Sequence, residues 1–392
     1  MSGKDLKLGV VGLGARSKLA QNADQPDQGS SVVAICDPIP ASQESGLANF
    51  PGAKAYGDHR DLLDLGLDGV FLTTPDHLHE DPAVDFLEAG IAVFVEKPLA
   101  ITTEGCDRVL EAARRSGARL YVGHNMRHMP VVQIMREQIL AGAIGEVKAI
   151  WCRHFVGHGG DFYFKDWHAD RSKTTSLLLQ KGAHDIDVMH WLAGGYTTRA
   201  SAFGELAVYG GITDRTDRTG QRFSEFVDEA NWPPLEQKGL APVMDVEDLS
   251  MANLQLGNGV LMSYQQCHFT PDYWRNYTVI GTAGRLENFG DGPGGVVKVW
   301  NSRRSGYRED ADVVIEIPNA EGGHAGADPR LVQEFLTFVR NGSATLTSPI
   351  AARAAVAAGH AATTSLRNGG NPVDVPELDP ELVAYFERGQ TS

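Results

Sequence analysis

Leu6-Lys7-Leu8-Gly9-Val10-Val11-Gly12-Leu13-Gly14-Ala15-Arg16-Ser17 is a short apolar run that stops in a glycine-spaced turn, and Lys18-Leu19-Ala20 then opens a helical stretch. Strand, tight turn and helix in this order make an anion site. Gly12 permits the turn, Gly14 lets the backbone approach a pyrophosphate, Ala15 and Arg16 follow it, and the helix offers its N-terminal NH groups to the negative charge. Ser17 stands where a third glycine is usual. An ordinary βα turn would share this pattern, so the surroundings decide. The next apolar strand, Ser31 to Cys36, ends at Asp37. A carboxylate there can accept hydrogen bonds from both adenosine ribose hydroxyls and repels a 2′-phosphate, which favours NAD over NADP. The bland alternative is a turn acid before Pro38.

Outward from this unit the period continues. Gly69 to Thr74 and Ile91 to Val95 read as buried parallel strands with a helix over Pro82 to Ala89 between them. Arg119 to Gly123 follows a helix over Cys106 to Arg115. A doubly wound Rossmann sheet therefore closes near residue 125, with ligands expected beyond the carboxyl ends of its strands. The chain has 392 residues, of which 42% are hydrophobic, enough for two cores: a domain over 1–125 and a second over 126–392. A net charge of −15 argues against nucleic acid as partner. No apolar run is long enough for a membrane span and no signal-peptide pattern precedes the first strand, so a cytoplasmic protein is expected. The four cysteines are widely spaced and read as reduced.

Unusual chemistry follows the ends of two strands, in Thr73-Thr74-Pro75-Asp76-His77-Leu78-His79 and in Glu96-Lys97-Pro98. Gly123-His124-Asn125-Met126-Arg127 and Gly182-Ala183-His184-Asp185-Ile186-Asp187 stand further on. With these motifs the chain resembles the glucose-fructose oxidoreductase, inositol dehydrogenase and MocA family over almost its whole length. The resemblance implies an α/β protein: an N-terminal Rossmann domain plus a C-terminal α/β domain whose open, mostly antiparallel mixed sheet carries helices on one face. It implies that Thr74, Pro75, His79, Glu96 and Asn125 belong to the cofactor side, that Pro98 fixes the backbone through a cis bond, and that Lys97 stands beside the nicotinamide. A hydride leaves a carbinol carbon only as the hydroxyl proton is removed, and a desolvated lysine can take it. Without the other motifs, Glu96-Lys97 would read as a solvated pair. A histidine at the position of His184 faces the substrate hydroxyl in similar dehydrogenases, often assisted by an aspartate four residues earlier. That place is held here by Gln180, which cannot accept a proton at neutral pH.

The second half begins with a helix over Val131 to Leu140 and a strand over Gly145 to Arg153. Residues 174–193 form an apolar helical stripe that sets Gln180, His184 and Asp187 along one side. The preceding segment, 154–173, is dense in aromatic and charged groups. Tyr163, Trp167 and His168 are candidates to stack on a sugar ring, and Arg153, Lys165, Arg171 or Lys173 to receive an anionic substituent. Arg127, Gln180 and Lys181 complete the substrate-side set. His154, His158 and His168 lack a ligand motif, so no metal is expected. Residues 211–245 read as a polar excursion, Leu249 to Leu256 and Val260 to Tyr264 as a hairpin, and Tyr277 to Gly281 with Arg285 to Asn288 as further sheet. Pro329 to Asn341 is an amphipathic helix, and the Ala-rich stretch 351–366 is a closing helix that can pack back on the first domain. The sheet's open face needs cover, which suggests a homodimer or homotetramer.

The leading expectation is an NAD-dependent oxidoreductase acting on a hydroxyl carbon of a sugar, glycoside or cyclitol, with Lys97 and His184 managing the proton. The rival is an NAD-dependent glycoside hydrolase that oxidises C3 transiently, eliminates the anomeric substituent, adds water and returns the hydride, on an anionic glycoside such as a sulfonated one. A non-catalytic NAD-sensing regulator is disfavoured by the presence of both Lys97 and His184.

Overall fold

The structure, a computed structural model, describes residues 5–228 and 230–390; the outermost ends of the two expected domains and one residue of the polar excursion lie outside them. The apolar runs of the first third become β1 (Leu6–Val11), β2 (Ser30–Cys36), β3 (Lys54–Tyr56), β4 (Gly69–Leu72), β5 (Ala92–Glu96) and β6 (Leu120–Gly123). They form one parallel six-stranded sheet in the order β3-β2-β1-β4-β5-β6, the doubly wound arrangement. The intervening helices are α1 (Pro40–Asn49), α2 (Glu80–Glu88) and α3 (Thr103–Ser116). The helix after the glycine turn is a 3-10 helix, Ala15–Ala23. Its tight winding has a local cause: the Ser17 amide and hydroxyl both donate to the Gly14 carbonyl, at 3.1 and 2.7 Å.

The second half supplies α4 (Pro130–Leu140), β7 (Val147–Phe155), α5 (Gly159–Tyr163), α6 (Arg171–Thr174), α7 (Leu177–Gln180), α8 (Gly182–Ala193) and β8 (Thr197–Glu205). It continues with β9 (Leu249–Leu256), β10 (Leu261–Cys267), β11 (Trp274–Gly281), β12 (Gly284–Phe289), β13 (Val296–Trp300), β14 (Val313–Glu316), α9 (Gly323–Asn341), α10 (Pro349–Arg367), β15 (Val373–Asp374) and α11 (Pro380–Glu387). The nine strands β14-β13-β12-β11-β7-β10-β9-β8-β15 make a mixed sheet in which only β7 and β10 run parallel. Helices α4, α8 and α10 bury one face; the other leaves Trp151, Phe203, Met251 and Leu261 exposed. The helical stripe is two helices, interrupted at Lys181.

The two sheets are distinct, but the helices do not respect the division. Phe335 of α9 meets Phe71 and Phe94 edge-on at 5.1 and 5.5 Å, so a helix from the far end of the chain covers one face of the first sheet. From α10, Ile350, Ala352 and Val356 enter the first core, while Ala355, Ala358 and Ala362 enter the second. A Cβ on Gly359 would lie 2.9 Å from the Leu179 backbone, so glycine there is what lets α10 meet α7 closely. Among the described residues no helix is long and apolar enough to cross a membrane.

Candidate active site

At the carboxyl end of β1, Gly12 has φ +86° and a Cβ on it would lie 2.6 Å from the Thr74 backbone nitrogen; only glycine lets this turn pass under the end of β4. A Cβ on Gly14 would meet nothing within 4 Å, so the space over the first turn of the 3-10 helix is open, with Ala15 exposed beside it. Asp37 is fixed across this turn, accepting from the Leu13 and Ile39 amides, each at 2.9 Å, which leaves further lone pairs on both oxygens. Arg16 donates to Glu96 Oε1 and, at 3.0 Å, to Asp328 Oδ2. Both carboxylates hold its pKa above the usual arginine range against the effect of burial. Glu96 Oε2 accepts from the Lys97 amide at 3.0 Å, so one glutamate links the glycine turn to the lysine. The Asn125 amide donates to Asp328 at 2.9 Å while its own buried oxygen, like Asp76 Oδ2, has no partner among the described residues. An open glycine cradle, a carboxylate at the end of β2 and unpartnered buried oxygens along the cleft fit a dinucleotide.

His79 is a correction to the expected cofactor set. Its ring is buried and its nitrogens lie 2.7 Å from the Pro98 carbonyl and 2.9 Å from that of Thr74. It ties the Thr74-Pro75 loop to the cis Lys97–Pro98 bond and has no nitrogen left to offer a ligand.

Across the cleft, Lys97 Nζ donates to the Gln180 carbonyl at 3.3 Å. Burial lowers the Lys97 pKa; the buried Asp76 carboxyl opposes that shift and Lys181 adds to it. Burial and the charges of Lys97 and Lys181 push His184 well below the usual histidine range, which makes it a neutral imidazole. Its ring lies 6.3 Å from that of His124, and among the described residues it has no hydrogen-bond partner. Lys181 Nζ sits 5.6 Å from the centre of the Tyr163 ring, its pKa pushed down to about 8 by burial and Arg275. Tyr163 meets His168 edge-on at 5.2 Å, and Trp167 stacks on His168 at 3.7 Å. Tyr163, Trp167, His168, Gln180 and Lys181 thus gather round Lys97 and His184.

Three expected substrate contacts lie elsewhere. Arg153 shares the bare face of the second sheet with Trp151 and donates to Asn276 at 2.9 Å, because from Ala149 onward the odd-numbered positions of β7 point away from the helices. Arg171 is exposed and engaged by the Asp245 side chain and carbonyl. Arg127 is buried in a two-pronged pair with Asp187 at 2.8 and 2.7 Å, donates to the Leu346 carbonyl and stacks on Trp191. Of the other expected anion receivers, Lys165 is taken by Asp161 at 2.6 Å and Lys173 by Asp170 at 3.6 Å.

A hub that sequence reading missed supports the floor of the cleft. Asp185 accepts from His154 Nδ1 and Tyr264 Oη, each at 2.9 Å, and from Tyr277 Oη, and it forms an ion pair with Arg275, whose Nε lies 2.9 Å away. Arg275 and these hydrogen bonds hold its pKa below the usual carboxylate range, while burial and Arg275 push His154 down to about 3. The only linear signal was the polar Asp185 within an apolar stripe; its partners come from three separate strands.

Residues 6–124 match the family model of an oxidoreductase family with an NAD-binding Rossmann fold, and residues 136–375 match the model of its C-terminal α/β domain. Together these define a dinucleotide-binding oxidoreductase, and the chain belongs to the glucose-fructose oxidoreductase, inositol dehydrogenase and MocA family. It is 33% identical to the inositol 2-dehydrogenase of Salmonella typhimurium over 191 residues, 48% of this chain and 54% of that protein. It is 28% identical to the rhizopine catabolism protein MocA of Rhizobium meliloti over 189 residues, 48% of this chain and 57% of that one. These matches span about half the length of each relative. In fold it is similar to levoglucosan dehydrogenase in complex with NADH and L-sorbose, with TM-score 0.77 and 20% identity over 95% of this chain and 100% of the other. It is likewise similar to the WlbA dehydrogenase of Bordetella pertussis in complex with NADH and UDP-GlcNAcA, with TM-score 0.73 and 19% identity over 96% and 99%.

Proposed function

We propose that this chain moves a hydride between a hydroxyl-bearing carbon of a sugar, glycoside or cyclitol and the nicotinamide of NAD. The observation that carries this reading is the meeting of Lys97, desolvated and lowered in pKa, with the neutral His184 ring at the carboxyl end of β5. The bound cofactor supplies the hydride acceptor. Lys97 takes the hydroxyl proton, His184 orients that hydroxyl by a hydrogen bond, and Tyr163 with the Trp167–His168 stack gives the sugar ring an apolar wall. Gln180 contributes its carbonyl to hold Lys97 and its side-chain amide to the sugar. Asp37 selects NAD by accepting from the ribose hydroxyls and repelling a 2′-phosphate. The similarity to an inositol 2-dehydrogenase and to a levoglucosan dehydrogenase supports a carbohydrate-like substrate. The bare face of the second sheet is the surface through which the chain would form a homodimer or homotetramer.

The test is a paired assay with NAD over sugars, cyclitols and chromogenic glycosides, following NADH and aglycone together. NADH accumulating without aglycone supports a net dehydrogenase. Aglycone released only when NAD is present, with no NADH left over, replaces it with the redox-neutral hydrolase. Tight NAD binding with neither product on any substrate removes both readings.

A further inference from the structure

Around the cleft, the protein's own carboxylates claim nearly every cation. Arg16 has Glu96 and Asp328, Arg127 has Asp187, Arg275 has Asp185 and Asp291, and Lys165 and Lys173 have Asp161 and Asp170. Lys97 and Lys181 stand apart: among the described residues neither forms an ion pair with a carboxylate. Lys97 still has the Gln180 carbonyl and the charge of Asp76 facing it. Among the described residues the Lys181 ammonium has only the face of Tyr163 against it. The acids near Lys181, Asp185 and Asp291, are spent on Arg275; the histidines packed beside it, His154, His184 and His268, are all pushed well below the usual histidine range and carry no charge to it at neutral pH. Lys181 is half-buried and its ammonium has no carboxylate of its own among the described residues, so an anionic ligand group that reached it would form a charge-assisted hydrogen bond.

We propose that Lys181 is the receptor for an anionic group on the sugar, a carboxylate or a sulfonate, so that the preferred substrate is an acidic sugar and not a neutral one. This rests on the carbohydrate reading above and moves the expected anion site from the 153–173 segment to the start of α8. Tyr163 walls the receptor, and Lys97 and His184 lie on the same cleft, so a single ring can present a hydroxyl to them and its anionic arm to Lys181.

The test compares glucose, glucuronate and 6-deoxy-6-sulfoglucose on the full chain with saturating NAD. The expected result is a preference of about 10- to 100-fold in kcat/KM for one of the acids over glucose, with the two acid arms telling carboxylate from sulfonate. The preference collapses in Lys181→Met and survives in Lys181→Arg. Glucose equal to or better than both acids in the wild type, or an undiminished preference in a folded Lys181→Met, overturns the proposal. If none of the three turns over, calorimetric dissociation constants on the NAD-loaded wild type read the same preference. Selective binding of an acid without hydride transfer then upholds the receptor and counts against the dehydrogenase reading alone, whereas no selectivity overturns the receptor.

Discussion

Strands β4 and β5 of the first sheet are buried at every position, and their polar groups come only where the strands stop, at Thr74 to His79 and at Glu96-Lys97. Strand β7 of the second sheet has a covered and a bare face, so neighbouring residues part company: His154 points into the Asp185 hub and Arg153 out to solvent. The comparison teaches where chemistry can be read. A sheet covered on both sides pushes its functional groups into contiguous loop motifs, which a linear scan finds. A half-covered sheet assembles them from alternate positions of several strands, which spacing along one segment does not show.

The largest test of the contrast is Lys97→Ala. Turnover should fall by about 10²- to 10⁴-fold while NAD affinity, measured by fluorescence titration, stays near the wild-type value. Full activity in that variant would mean that the strand-end motif of the first sheet does not carry the proton. Next is Asp185→Asn, which strips the buried Arg275 of its nearer carboxylate and leaves it only Asp291 at 3.3 Å; thermal or urea denaturation should register a loss of about 3–5 kcal/mol. A loss under about 1 kcal/mol would show that the hub is not a structural keystone of the second sheet.

Acid should act on the same half. Folding pushes His154 and His268 down to about 3 and His190 to about 4 from an ordinary value of 6.5. Above pH 6.5 neither state of the chain charges these rings. Below it the unfolded chain binds protons that the folded chain refuses, so stability is lost progressively from pH 6.5 down to about pH 3. Melting curves at stepped pH should fall through this window, and replacing His154 with Phe should shrink the slope. The smallest effect belongs to Arg153→Ala, which should alter kcat/KM by less than about twofold because it lies on the bare face. A tenfold loss there would reverse the face assignment of β7.

Most of the first sheet was legible. Its strands are uninterrupted apolar runs with glycine or a motif at the end, and Lys97 and His184, far apart in sequence, come near enough for the lysine charge to lower the histidine's pKa. β3 escaped because its three residues are only partly covered and carry no apolar run. The packing of α9 on the first sheet escaped because an amphipathic pattern gives a face but not the surface it meets. Arg127, Arg153 and Arg171 were read from residue type and proximity along the chain. Which carboxylate each would find, Asp187, Glu287 or Asp245, depends on tertiary placement.

Helix α10 seats one row of side chains in each hydrophobic core. The sheets therefore cannot swing apart as on a hinge without pulling Val356 or Ala358 out of close packing. Helix α10 thus acts as a spine common to both cores and resists a change in the width of the cleft between the sheets.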